Sequence, residues 1–158
     1  MSVHWLVSRI DYPMYIVTVR GRSESAGCLV GFTTQCSIHP PRFIVCLSEK
    51  NRTFTVARDA EVMVVHMVPD HAVELAELFG SQTGDEVDKF ARCRWSPGPM
   101  ATPVLDDLAN WFAGRILERV PTGDHWAYLL EPIASGEEDP GRPFTFHRAR
   151  RIEPGHAP

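Results

Sequence analysis

The chain lacks any run of about 20 apolar residues, the length that a membrane-spanning helix requires. Cysteine is sparse: Cys28, Cys36, Cys46 and Cys93 are irregularly spaced with no CxxC pair, which excludes a zinc-finger pattern. Three of them fall in apolar, strand-like runs, so they are expected to be small buried hydrophobes. Charge of one sign is also lacking. Sixteen Lys and Arg against 20 Asp and Glu leave a net charge of −4, and Arg148, Arg150 and Arg151 read as a solvated end. A broad basic footprint for nucleic acid is therefore excluded. The stretch 80–85 is glycine-containing, but no GK[ST] follows, so it is not a P-loop. There is no GxSxG elbow. His66 and His71 lack the spacing of a helical metal pair, and Asp106 and Asp107 are adjacent, so their side chains diverge. No metal site is expected. The first residues, MSVHWLVSRIDYP, carry Arg9 and Asp11 and no apolar stretch leading to a small-residue cleavage site. The expectation is a cytoplasmic chain, with the sequon Asn51-Arg52-Thr53 left unglycosylated.

What is present has the balance of an ordinary globular domain, 44% hydrophobic and 23% charged. The 158 residues are expected to form one domain, 1–158, with an irregular tail from about 149. Runs rich in β-branched and aromatic residues predict strands over 13–19, 26–37, 42–48, 61–68, 108–120 and 126–134, and a closing strand at 144–146. Gly27 and Gly31 would allow a bulge or a close backbone approach within the second strand. The third, apolar on both faces, is expected to be central. Helical spacing appears over 51–60, from Pro69-Asp70 to Gly80, and briefly around 86–91. Many short strands with two main helices and no βαβ rhythm predict a mainly β architecture, an antiparallel barrel with flanking helices.

Three segments can carry chemistry. Ser48-Glu49-Lys50-Asn51-Arg52-Thr53 joins a strand to a helix, and a helix start offers unpaired N–H groups that favour an anion. Arg52 would add two-point hydrogen bonding to a phosphate and Lys50 a mobile charge. The alternative is a plain helix cap made by Ser48 or Asn51. Thr33-Thr34-Gln35-Cys36-Ser37 interrupts an apolar strand with small or polar residues, as a wet lining or a solvent-facing edge would. His125 follows the turn 121–124, where it either satisfies the turn or donates to a ligand.

In this order, the segments TQCSIHPP, SEKNRT, AVELAELFGSQTGDEVDKF, the Gly123-Asp124-His125 turn and PFTFHRAR resemble the flavin reductase-like family of FMN-binding split β-barrels, over roughly residues 10 to 150. The resemblance implies a Greek-key antiparallel split barrel and a homodimer with one FMN (or FAD in its place) per subunit. It assigns Thr33, Thr34, Gln35, Cys36 and Ser37 to the flavin-binding strand. Ser48, Lys50, Asn51, Arg52 and Thr53 match the phosphate loop, and His125 matches the residue that places the nicotinamide or substrate. The implied activity is hydride transfer from NAD(P)H to flavin, with reduced flavin serving a partner monooxygenase. The alternatives on the same fold are a non-catalytic carrier or redox sensor binding flavin or haem, and an oxidoreductase using a deazaflavin. One departure stands out. Where many members carry Thr-Ala followed by Asn or Ser, this chain has Leu29-Val30-Gly31, so backbone groups would replace side-chain bonds to the ring.

Overall fold

A computed structural model describes residues 2–81, 87–136, 138–139 and 141–152. Seven strands form one antiparallel sheet: β1 (Tyr15–Arg20), β2 (Ser25–Val30), β3 (Thr33–Ser37), β4 (Arg42–Ser48), β5 (Val62–Met67), β8 (Trp111–Pro121) and β9 (His125–Gly136). Their order is β2-β1-β5-β8-β9-β4-β3. Two short strands, β6 (Trp95–Pro97) and β7 (Pro103–Leu105), pair separately. The α-helices are α1 (Val3–Val7), α2 (Arg52–Ala57), α3 (Val73–Ser81) and α4 (Phe146–Ala149), and none of them is long and apolar enough to cross a membrane.

The sheet is curled. β2 and β3 lie at its opposite edges, yet only Gly31 and Phe32 separate them. Six inter-strand steps would hold these edges almost 30 Å apart (about 4.8 Å each) if the sheet were flat, whereas three Cα steps span at most about 11 Å. Strands near both edges accordingly contribute to one core: Cys28 and Val30 from edge strand β2, Val45 and Leu47 from β4 beside the other edge, with Val17, Val19, Met63, Val65, Tyr128 and Leu130 between. Helix α2 packs Phe54, Val56 and Ala57 into the same core. Among the described residues no ladder of hydrogen bonds joins β2 to β3, so the sheet is curled and open rather than a closed barrel.

Strands β1 and β5 are buried on both faces, as their continuous apolar runs require. Their outward sides meet α3 and β7, where Ile16 packs with Phe79 and Leu105, and Val62 and Val64 with Val104. Two buried polar side chains fasten β7 there. The Thr18 hydroxyl donates to the Pro103 carbonyl (2.6 Å), and His66 bridges the Ile16 carbonyl (2.9 Å) and the Leu105 amide (2.9 Å). Leaving either group unpaired would cost about 1–3 kcal/mol.

Several local expectations are corrected. The run 26–37 is two strands, because the chain leaves one sheet edge at Val30 and enters the other at Thr33. Gly27 and Gly31 do provide close approach: an added Cβ would lie 2.8 Å from the Phe79 ring and 2.6 Å from the Tyr12 ring respectively. β4 is second from an edge, with Val45 and Leu47 buried and Ile44 and Cys46 only partly so. Segment 144–146 is not a strand. Isolated bridges at Pro69–Pro143 and Pro13–Thr145 lead directly into α4, because Phe144 turns into the core beneath α3 and Phe146 stacks on Tyr12. Helix α4 ends at Ala149, and of the irregular tail expected from about 149 the residues 153–158 lie outside the described ones. Pro69 and Asp70 belong to the bridge and turn, and α3 starts at Val73. The short helix expected at 86–91 is a 3-10 turn at Lys89–Ala91, residues 82–86 lying outside the described ones. Of the four cysteines, all free thiols, only Cys28 is fully buried and Cys36 is exposed.

Burial pushes the pKa of His66 down to about 4 from 6.5, and both ring nitrogens are bonded as a neutral imidazole requires. The unfolded chain takes up this proton near pH 6.5 and the folded one only near 4, so stability from this group is complete above 6.5 and lost as pH falls through that window. The slope is about 1.4 kcal/mol per pH unit. Urea unfolding at pH 7 and pH 5 should therefore differ by about 2 kcal/mol more in the wild type than in His66→Gln; equal differences would refute the assignment.

Candidate functional site

The end of β4, the turn before α2 and the tip of the β8–β9 hairpin are brought together by backbone pairing. Ser48 pairs with His125 in the β4–β9 ladder, and the Glu49 amide donates to the Asp124 carbonyl (3.1 Å). The Trp126 indole N–H donates to Glu49 Oε1 (2.9 Å). The tip itself is a tight turn in which the Thr122 amide and hydroxyl both donate to the His125 carbonyl, each at 2.9 Å. The β2–β3 corner joins this cluster through the Cys46 amide, which donates to the Phe32 carbonyl (2.9 Å).

These elements enclose a cavity of about 200 Å³. Its polar lining is Ser48, Asn51 and His125, and Leu29, Val30, Gly31 and Phe32 supply the wall from the β2–β3 corner. The His125 ring lies 5.1 Å from that of Phe32, and its Nδ1 is 2.7 Å from Asp124 Oδ1. Bonding to His125 holds the Asp124 carboxyl below the usual carboxylate range, with Lys50 adding a weaker pull in the same direction. Burial pushes the Cys46 and Cys28 thiols, both on the cavity wall, above the ordinary range.

The loop caps its own helix: Asn51 Oδ1 accepts the Thr53 N–H (2.9 Å), and Ser48 Oγ accepts the Lys50 N–H (3.3 Å). Thr53 is fully buried beside Cys28. Arg52 pairs with Glu24 and lines a neighbouring cavity of about 500 Å³ with Arg20, Lys89 and Trp95. The two cavities divide adjacent residues between them, Gly27 from Cys28 and Asn51 from Arg52. Thr33, Thr34, Gln35, Cys36 and Ser37 form edge strand β3 and do not line the His125 cavity. Thr34, Gln35 and Cys36 are exposed, and Cys36 sits where the β3–β4 register shifts. Sequence reasoning did not find Tyr12, Met14 and Phe146, which line the cavity from the two ends of the chain. No periodicity or spacing relates residues 134 apart.

The arrangement is a curled antiparallel sheet whose corner, helix start and hairpin tip surround one cavity. The flavin reductase like domain family matches residues 7–154, and the chain belongs to that family. Among curated relatives, the FMN reductase (NADH) RutF of Variovorax paradoxus is 27% identical over 128 residues, covering 81% of this chain and 71% of the relative. The reductase subunit HsaB of a flavin-dependent monooxygenase from Rhodococcus jostii is 25% identical over 134 residues, covering 81% and 67%. A crystal structure of a flavin reductase domain protein from Arthrobacter sp. shares the fold, with a TM-score of 0.82 at 24% identity over 92% of this chain and 89% of the other.

If Glu49 pins the hairpin tip, Glu49→Ala should lower stability by about 1 kcal/mol, or about 3 °C in Tm. Amide exchange should accelerate at Gly123 to Trp126 specifically. Unchanged exchange there would show that the ladder alone holds the tip.

Proposed function

We propose that this chain is an FMN-dependent flavin reductase taking its hydride from NADH, active as a homodimer in the cytoplasm. The observation that carries this reading is the single cavity in which Ser48 and Asn51 of one loop, and His125 from a remote hairpin, meet the β2–β3 corner, within a chain of the flavin reductase like family. The residues fit FMN. The cavity has an apolar body and one polar end, and at Gly31 a side chain would collide with the wall. At about 200 Å³ it is smaller than a typical whole-ligand site, and the adjoining cavity beside Arg52 offers room for the remainder.

FMN, when bound, supplies the hydride acceptor. In this reading Ser48 and Asn51 face its phosphate end, Lys50 and Arg52 lend positive charge from the same loop, and buried Thr53 keeps that loop in shape by donating its backbone N–H to Asn51. Thr33, Thr34, Gln35, Cys36 and Ser37 act through β3, whose pairing with β4 keeps the corner in place. His125, oriented by Asp124 and seated against Phe32, positions the nicotinamide and exchanges no covalent bond with it. The Variovorax relative's name supports FMN and NADH, and the Rhodococcus relative's name supports delivery of reduced flavin to a partner monooxygenase. FAD binds the same groove by this reading.

We also read the curled sheet as a Greek-key split barrel in one domain, 1–158. Exposed Phe32, Ile38, Leu117, Val120 and Ile133 support burial against a second copy. The four free thiols suit a reducing compartment.

Titrating the protein with FMN, then adding NADH without air, should show saturation at one flavin per chain followed by bleaching of the visible flavin band. Binding without bleaching would favour a carrier or sensor. His125→Ala should lower turnover at least tenfold while leaving FMN affinity within about twofold, since a positioning contact acts on the reacting pair; lost FMN binding would refute the role. Sedimentation equilibrium should return twice the 17.8 kDa chain mass.

A further inference from the structure

Part of the cavity's lining is a pair of aromatic rings drawn from both ends of the chain. The Tyr12 and Phe146 rings lie 4.8 Å apart and 9° from parallel, and both line the cavity. The stack is not a loose surface pair. The Phe146 amide donates to the Tyr12 carbonyl (2.9 Å), and Met14 donates to the Phe144 carbonyl (2.8 Å). Asp11 ties the segments on the other side. One carboxylate oxygen accepts the His147 amide (2.9 Å) and the Tyr12 amide (3.1 Å), and the other accepts the Thr145 hydroxyl (2.9 Å). The residues flanking Phe146 are thus bound to the residue preceding Tyr12.

Gly31 completes the arrangement. An added Cβ there would fall 2.6 Å from Tyr12 Cε2 and 3.0 Å from Met14 Sδ, so the Tyr12 ring occupies the space that a side chain at 31 would fill. With Leu29 and Val30 beside Gly31, this part of the cavity is lined by apolar side chains and aromatic rings. A planar heteroaromatic ring is the chemistry such a wall accepts, through stacking and removal of apolar surface from water.

We propose that Tyr12 and Phe146 are positioning residues: a stacked wall, held by Asp11, against which the ring system of the flavin packs. The proposal rests on the flavin reading of the cavity. It makes the wall a single unit, because Phe146 acts by holding Tyr12 and Asp11 acts by holding both.

The test is FMN titration, followed by flavin fluorescence and the shape of the visible absorption band, with thermal melts to verify folding. Tyr12→Leu and Phe146→Leu should each raise the FMN Kd about tenfold, or about 1.4 kcal/mol, with a bound band closer to that of free FMN. Tyr12→Phe should stay within about twofold of wild type. The double leucine variant should lose little more than either single one, as coupled residues do. Asp11→Ala, with both rings intact, should move Kd and band in the same direction and serves where a leucine variant does not fold. Wild-type binding with unchanged Kd and band in these variants would overturn this proposal alone. A wild-type protein that binds no FMN would overturn it together with the flavin reading.

Discussion

Two residues, Gly31 and Phe32, carry the chain from one edge of a seven-stranded sheet to the other, and the Phe32 carbonyl is taken up by the Cys46 amide at 2.9 Å. So short a link forces the edges together. Everything else at the site follows from that curl. It brings β2 and β4 onto one core, with α2 packed into it, and sets the hairpin tip beside the β2–β3 corner. A longer connection would relax the constraint and separate the cavity's walls.

The curled sheet leaves outward faces and an edge to be covered, and buried polar groups on backbone partners do much of this. Thr18 and His66 fasten β7 over β1 and β5. Lys89 reaches under α3 to donate to the Gly27 carbonyl (3.0 Å) and the Phe79 carbonyl (3.2 Å), covering the outer edge of β2, which would otherwise be open to pairing. Burial lowers the pKa of this ammonium, the expected response to loss of water. On the opposite flank, Arg119 of β8 donates to the Ala57 and Ala60 carbonyls and so closes the C-terminal end of α2. The helix that presents Asn51 is therefore held at both ends, by its own cap and by the sheet.

The cavity has a division of labour along its length. Its polar end comes from a loop and a hairpin tip locked by short backbone bonds. Its apolar end comes from the β2–β3 corner and the two ends of the chain, where rings supply contact without orienting hydrogen bonds. Leu29, Val30 and Gly31 offer no hydroxyl or amide side chain at the corner, so in the flavin reading proposed above shape would do the orienting there.

Local pattern determined much of the molecule. Runs of β-branched residues marked β1, β4 and β5 within a residue or two, and the helical spacing over 51–60 marked the place of α2. Ser48, Asn51 and His125 were legible as well, because turn and helix-start chemistry is written in adjacent residues. Tertiary structure alone decided the rest. Whether 26–37 is one strand or two depends on where the sheet's far edge lies, which no local period encodes. The direction taken by Arg52 was set by Glu24, 28 positions away, and the seat of Phe146 by Tyr12 and Asp11. Propensity and capping act over a few residues, so sequence can announce them. Partners brought together by the curl of a sheet exist only once the chain has folded.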